Sequence, residues 1–476
     1  MAQQRLEEII KTRQEKVNKL RELGIEPYPT KVDGTPRQIV LALVAMGKTV
    51  EVAGRLMSFR GHGNVVFADL KDETGQIQLW FQKNNLGDKM KLLKYFDIGD
   101  FVYAQGKVVK TAAGEISVDV EKYQMLAKSI RPLPSAWHGL KDIEERYRKR
   151  YLDLVLNNDV RDIFIKRSKI ITLLRSYLND KGFLEVKTPV LQPIYGGATA
   201  KPFITHHNTL NSDLYLRIAD ELYLKRLITG GFHKVYEIGT DFRNEGIDRW
   251  HNPEFQMLEF YWAFANYEDL MLLSEEMLSW VVKEVTGDYK VKHDDKTINF
   301  KTPWRRLAYK EAFKEYANLD IDKIKTKDKV QELDSIYKEK IRPKLIDPVF
   351  LIDHPFEMRP LAKRSMENKD VAETIQLVAA GAELFNAYTE LNDPQDQRKR
   401  WEEDMARGKR GAVEFQVIDE DYIMALEYGM PPTAGWGMGI DRFTAVLTNQ
   451  HALKDVILFP TLKPEGGDNN GSKKNR

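Results

Sequence analysis

The chain has 476 residues with 42% hydrophobic and 10% aromatic side chains, the composition of a folded protein large enough for two or more domains. Its net charge of only +2 excludes a polycation held to nucleic acid by its overall field, so any such contact needs a local basic face. The lack of cysteine excludes disulfides and thiolate zinc ligands and fits a cytoplasmic location; no apolar run is long enough for a membrane span, and the charged start from Arg5 is unlike a secretory signal.

Residues 1–47 read as an N-terminal helical extension. Leu6, Ile9, Ile10, Val17, Leu20 and Leu23 keep a helical period over residues 3–23, and Gly24 ends it. Lys11, Arg13, Lys16, Lys19 and Arg21 give that helix a basic face, open to two readings: a solvated surface or an RNA-facing one. Residues 48–130 change to strand patterns at Val50–Leu56, Val65–Leu70, Ile77–Phe81, Phe101–Val109 and Ile116–Val120, with a helical segment between Gln82 and Phe96. Five short strands with a helix after the third describe an OB-fold β-barrel, which commonly grips single-stranded nucleic acid.

Residues 131–146 form a proline-containing linker. Residues 147–464 read as one large mixed domain, with helical stretches near 158–181, 219–230, 266–285, 307–317 and 327–340. Strand runs fall at Lys234–Asp241, Glu254–Phe264, Val349–Ile352 and Glu383–Leu391. Strands and helices do not alternate regularly, which predicts an α+β fold with antiparallel sheet and not a doubly wound one. Residues 465–476 carry no apolar side chain and are expected to be a disordered tail.

Two distant segments carry the chemistry. The first runs Phe242-Arg243-Asn244-Glu245-Gly246 to His251-Asn252-Pro253-Glu254-Phe255. A strand–loop–strand hairpin there would fix Arg243 at a strand end, where a permanent cation suits an α-phosphate. Phe255 suits stacking on a purine, Glu245 an exocyclic amine and His251 the distal phosphates. The second segment is Gly435-Trp436-Gly437-Met438-Gly439-Ile440-Asp441-Arg442. Its alternating glycines clear one strand face for a ligand, Asp441 is placed as the N-cap of a following helix, and Arg442 falls in that helix's first turn. Two fixed cations aimed at one polyphosphate suit the activation of a carboxylate by ATP.

Together these segments resemble motifs 2 and 3 of the class II aminoacyl-tRNA synthetases, and Phe183–Pro189 resembles motif 1, whose proline lies at the dimer interface of that class. Gly196–Asn208, Glu221–Lys225 and Phe385–Asp393 resemble the lysyl-tRNA synthetase branch in particular. The class I signatures do not occur. The resemblance covers residues from about 5 to 464, with all motifs in order. It implies an α+β, antiparallel-sheet class II synthetase catalytic domain preceded by a five-stranded OB-fold β-barrel. It implies a cytoplasmic homodimer that takes ATP, L-lysine and tRNA(Lys), with magnesium accompanying ATP.

Residue by residue, the resemblance implies that Arg243 and Arg442 hold the α- and γ-phosphates, with Glu245, His251, Asn252 and Phe255 completing the nucleotide site. Gly197, Glu221 and Glu259 would receive the lysine α-amino group, while Asn386 and Arg243 orient its carboxylate. Tyr261 and Glu390 would hold the ε-ammonium, with Tyr388 against the methylenes. Glu383 matches one of two magnesium glutamates; the other falls at Gln376, which loses a charge and predicts weaker or altered metal binding. Thr240, Trp250, Asp220 and Arg359 also depart from the family pattern. In the barrel, Phe67 would stack an anticodon base and Gln78 would read the central uridine, with Arg60 and Glu115 as lesser candidates. Strand alternation alone leaves open whether Phe67 faces outward or into the barrel core. Aspartyl- or asparaginyl-tRNA synthetase is disfavoured because Glu390 offers an anion. Lysylation of a protein acceptor is disfavoured by the retained barrel, and a non-catalytic RNA-binding paralogue by the retained arginines.

Overall fold

The computed structural model describes residues 2–62, 64–134, 140, 142–324, 329–359, 361–409 and 417–464; the expected disordered tail lies outside these. The chain divides into two compact units, Met1–Lys141 and Asp142–Arg476.

The first unit opens with helix α1 (Ala2–Glu22), followed by strands β1 (Thr49–His62), β2 (Val65–Lys71), β3 (Gln76–Gln82), β4 (Phe101–Lys110) and β5 (Ile116–Ala127). The strands close a barrel in the order β1-β2-β3-β5-β4, antiparallel except for β3 beside β5. The period of two is visible in β3, where Ile77, Leu79 and Phe81 are buried and Gln78 and Trp80 face outward. The helix expected before Phe96 is a single turn, Lys83–Leu86, continued by the 3₁₀ helix Gly87–Tyr95. The face expected to be basic on α1 is partly docked. Arg13 is buried and donates to the Ser129 and Ile98 carbonyls at 2.9 and 3.2 Å, and Lys16 reaches Asp97 at 2.7 Å. Those two cations are structural, because Leu20 on the same helix is drawn wholly into the barrel core.

The second unit is built on an eight-stranded sheet. After helix Ile143–Arg148, which takes up the last residues of the expected linker, the elements in chain order are α2 (Asn158–Asp180), β6 (Leu184–Glu185), α3 (Glu221–Thr229), β7 (Lys234–Phe242), β8 (Glu254–Ala263) and α4 (Tyr267–Thr286). Then follow β9 (Arg305–Ala308), β10 (Val349–Ile352), β11 (Thr374–Ala379), β12 (Ala382–Thr389), β13 (Thr433–Gly439) and α5 (Ile440–Leu447). The sheet order is β9-β10-β11-β12-β13-β8-β7-β6, with parallel pairs only at its two edges. The long helix α4 starts with a capping box between Asn266 and Asp269 and stops at left-handed Gly287.

The stretch read as a helix over 307–317 begins as β9 and is helical from Tyr309, an α-helical turn Tyr309–Ala312 continued by the π-helical turn Phe313–Ala317. Strand β11 escapes a pattern reading because all its residues are buried, so no polar alternation marks it.

One face of the sheet is core. Trp436 lies between Phe260 and Phe385, each with ring centroids 4.8 Å away, and its indole nitrogen donates to Ser274 Oγ at 3.0 Å on α4. Each large side chain buried this way contributes roughly 1.5–3 kcal/mol. The stack therefore fixes β8, β13 and β12 side by side, which sets the opposite face.

Candidate active site and nucleic-acid interface

The opposite face follows from register. Glu259 pairs with Gly437 and Tyr261 with Gly435 across one strand border; Asn386 and Tyr388 pair with the same two glycines across the other. Directly paired residues share a face, so the glycines form a low floor between two functional walls. Gly435 permits nothing larger: a Cβ there would sit 1.8 Å from Glu390 Oε1 and 2.6 Å from Tyr261 Cε1.

The hairpin β7–β8 pairs Phe242 with Glu254 and presents Arg243 directly after β7. Arg243 and Arg442 line one cleft of about 200 Å³, shared with Glu245, His251, Asn252, Phe255 and Glu383. The Arg243 guanidinium carbon stands 5.0 Å from the Phe255 ring centroid, and Arg442 Nη1 donates to the Glu383 carbonyl at 2.9 Å. His251 Nδ1 is 2.8 Å from Asp248 Oδ2, while the Oδ1 atom of buried Asn252 has no protein partner.

Asp441 is not the N-cap of α5. Gly439 holds that position, since β13 runs on to the helix without a break. Asp441 lies in the first turn with its carboxylate turned to the sheet, where it accepts from the Gln256 N–H at 2.9 Å and pairs with Arg167. It braces β8 against α5, and so sets the two cleft walls relative to each other.

Glu383 and Asn386 differ in parity, so simple alternation would put them on opposite faces. A bulge beside β12 shifts the register between Leu377 and Val378, and Glu383 pairs with Val378 while Asn386 pairs with Gln376. Both side chains consequently reach the cleft. Asn386 Nδ2 donates to Glu383 Oε1 at 2.7 Å, and Gln376 Nε2 donates to Glu383 Oε2 at 2.5 Å. The Gln376 oxygen accepts from the Tyr337 hydroxyl at 2.5 Å, so position 376 turns donors, not acceptors, toward Glu383.

Beyond the glycines lies a buried cage of acids and rings. Glu221, Glu259, Tyr261 and Glu390 are all less than 8% exposed, and Tyr388 is half-buried. The Tyr388 hydroxyl donates to Glu221 Oε2 at 3.3 Å, and the Tyr261 hydroxyl to Glu259 Oε2 at 3.2 Å. Gly197 closes against this wall with a left-handed φ of 84°, and a Cβ there would come within 3.2 Å of Glu221 Cβ. Burial pushes the Glu390 carboxyl up to about 8; Lys225 opposes that rise and Glu221 adds to it.

Sequence reasoning gave Lys225 no role, yet its ammonium is fully buried in this cage, 2.5 Å from Glu221 Oε1 and paired with Glu390 Oε2. The spacing of Glu221 and Lys225, four apart on α3, was the available signal. A second unforeseen cluster adjoins the cage. Oxygens of Asp220, Asp241 and Glu259 lie within 4.8 Å of one another, all buried. Burial, and then the neighbouring acids, raise Glu259 and Asp241 well above the usual carboxylate range; burial raises Asp220 to about 6. Arg217, itself buried, reaches Glu237 at 2.7 Å and Asp241 at 3.1 Å and ties Thr188 beside Pro189 to the same strand.

In the barrel, Ala68 and Leu70 point into the core, which places Phe67 outward. Phe67 stacks on Trp80 at 6.0 Å and 16°, and the two rings line one hollow with Gln78, Arg60 and Glu115. Gln78 Oε1 accepts from Ser117 Oγ at 2.8 Å. Trp80 is the residue that pattern reading missed; register alone sets it opposite Phe67.

The family model described as tRNA synthetases class II (D, K and N) matches residues 142–463, and the one described as an OB-fold nucleic acid binding domain matches residues 50–133. A barrel of this kind with an antiparallel sheet carrying these motifs is the architecture of a class II aminoacyl-tRNA synthetase. The lysine–tRNA ligase of Carboxydothermus hydrogenoformans is 47% identical over 98% of this chain and 100% of its own length. Those of Syntrophomonas wolfei and Pelotomaculum thermopropionicum are 46% and 47% identical over 97% and 96% of this chain and 98% and 96% of their own lengths. The chain belongs to the lysine–tRNA ligase family. Among the described residues no helix is long and apolar enough to cross a membrane.

Proposed function

We propose that the protein activates L-lysine with ATP to lysyl-adenylate and transfers the lysyl group to the 3′ end of tRNA(Lys), releasing pyrophosphate and then AMP. One observation carries this reading. Two arginines face a single cleft whose glycine floor continues into a buried acidic, aromatic cage.

In this reading a lysine carboxylate oxygen attacks the α-phosphorus, the bond to the bridging oxygen breaks, and pyrophosphate leaves with that electron pair. Arg243 neutralises the α-phosphate and Arg442 the γ-phosphate; Phe255 stacks on adenine, Glu245 accepts from its amine, and His251 and Asn252 complete the nucleotide contacts. No enzyme nucleophile is needed, because positioning and charge neutralisation lower the barrier. Gly197, Glu221 and Glu259 receive the α-ammonium, and Asn386 with Arg243 orients the carboxylate. Tyr261 and Glu390 hold the ε-ammonium against Tyr388. The terminal ribose hydroxyl of the tRNA then attacks the activated carbonyl and AMP departs.

The donor set fits magnesium carried mostly by phosphate oxygens. Glu383 offers a carboxylate to the cleft beside Arg442, and Gln376, its oxygen engaged by Tyr337, would act as a ligand only with its amide reversed. Bound with ATP, the ion supplies charge neutralisation on the departing pyrophosphate.

The reading extends to the partners. Phe67, with Trp80 beneath it, gives a stacking platform for an anticodon base, and Gln78 borders it. Exposed Leu184, Val190 and Leu191 around motif 1 favour a homodimer. A cytoplasmic location suits these substrates. The test is charging of tRNA transcripts with labelled lysine and ATP. Lysine should become acid-precipitable on tRNA(Lys) and not on tRNA(Asp); no incorporation would refute the proposal.

A further inference from the structure

The cage assigned above to the lysine side chain already contains a lysine. Lys225 is wholly buried, its ammonium 2.5 Å from Glu221 Oε1 and paired with Glu390 Oε2. Its nitrogen stands 5.8 Å from the Tyr261 ring centroid and 5.9 Å from that of Tyr388. These are four of the residues expected to receive substrate. Burial opposes its charge, but Glu221 and then Glu390 outweigh burial and hold the ammonium well above its usual range, so it stays a cation.

The two oxygens of Glu390 are therefore unequal. Oε2 is ion-paired with Lys225, whereas Oε1 carries no ion pair or hydrogen bond and lies along the Gly435 floor, 1.8 Å from where a Cβ would stand. Two acids meet one resident cation, which leaves one free oxygen and, once Glu390 is ionised, one unit of negative charge. A primary ammonium needs only that much. A guanidinium binds a carboxylate best as a two-pronged fork that engages both oxygens.

We propose that Lys225 is a specificity-determining residue: by holding Glu390 Oε2 and Glu221 Oε1 it leaves a single acceptor, so the cage takes the ammonium of lysine and rejects the guanidinium of arginine. The inference rests on the reading of this cage as the lysine site. Packing alone would discriminate poorly, since differences of a methylene or two give only about 1–3 kcal/mol. Blocking one prong of the fork adds a polar mismatch, which discriminates far more strongly than volume.

The experiment is lysine-dependent pyrophosphate exchange by the full chain, with arginine as the competitor. The readout is the ratio of the lysine KM to the arginine inhibition constant. In Lys225→Met the ratio should rise tenfold or more, with the ATP KM unchanged; a smaller rise overturns the proposal. A merely structural role for Lys225 would lower turnover and thermal stability without moving the ratio. Should Lys225→Met fail to fold, the double variant Glu221→Gln/Lys225→Met removes an acid together with the cation and keeps the charge balance. Its ratio should also rise, because Glu221, as an α-ammonium acceptor, acts equally on lysine and arginine. Glu390→Gln separates the two ideas. An unchanged lysine KM in that variant would refute the site itself, whereas a raised one with an unmoved ratio in Lys225→Met refutes only the inference.

Discussion

Replacing Gly435 by alanine tests the cage most sharply, because the collision it creates is local and calculable. The new methyl carbon would lie 1.8 Å from Glu390 Oε1, 2.6 Å from Tyr261 Cε1 and 2.9 Å from Glu390 Cδ. Ordinary carbon–oxygen contact is about 3.5 Å, so Oε1 must retreat by well over an ångström. It cannot do so freely, since Glu390 is 1% exposed and held on its far side by Lys225. Overpacking of this kind costs about 1–3 kcal/mol of stability. Loss of that acceptor for the substrate cation should cost about 3–5 kcal/mol in binding, by analogy with broken buried pairs. That corresponds to a fall of roughly a hundredfold or more in kcat/KM for lysine. Gly437 and Gly439 line the nucleotide cleft but Gly435 does not, so the ATP KM should stay near its original value. Pyrophosphate exchange with lysine and ATP varied in turn measures both. A lysine KM within twofold of the unsubstituted protein would refute the placement of the side chain against Gly435.

Other outcomes follow from the same geometry. Glu390 must be ionised to hold a cation, and its carboxyl is raised to about 8 in the empty cage. Apparent lysine affinity should therefore climb with pH and level off near 8; a flat profile between pH 6 and 8 would contradict this. By linkage, the stability that the buried acid form contributes is fully present below its unfolded value near 4.5 and is lost as pH rises through about 8, which thermal melts with and without lysine would show. Phe67→Ala should leave adenylate formation intact and weaken tRNA charging, with the loss of a stack costing about 1–3 kcal/mol; a parallel loss in both steps would remove the barrel role. Gln376→Glu sets a second carboxylate opposite Glu383, so a magnesium titration should shift to lower concentrations, and an unchanged titration would exclude position 376 from the metal environment.

Much of the architecture is legible in the residues because alternation and turns mark it. Ile77, Leu79 and Phe81 announce a barrel strand, and the run from Glu254 ends at Ala263, one residue short of the expected Phe264, which turns left-handed with φ 63°. What escapes pattern reading depends on tertiary context. A wholly buried strand such as Thr374–Ala379 shows no alternation, and the bulge that brings Glu383 to the side of Asn386 has no local signature. Asp441 has the side chain of a cap, but it is spent on Gln256 and Arg167 because the strand leads straight into the helix. Arg13 and Lys16 look solvated in sequence and are drawn down by Leu20. The nucleotide and lysine residues named from the resemblance lie along one cleft and its adjoining cage, whereas Lys225 was not foreseen, since helical spacing pairs it with Glu221 but says nothing of Glu390.

A cationic amino-acid side chain of lysine's length is what this enzyme selects. Pyrophosphate exchange into ATP, run with lysine, ornithine, aspartate and asparagine at equal concentration, measures that selection before tRNA is involved. Exchange with lysine, weak or absent exchange with ornithine, and none with the other two is the expected pattern. Aspartate or asparagine supporting exchange as well as lysine does would contradict the account.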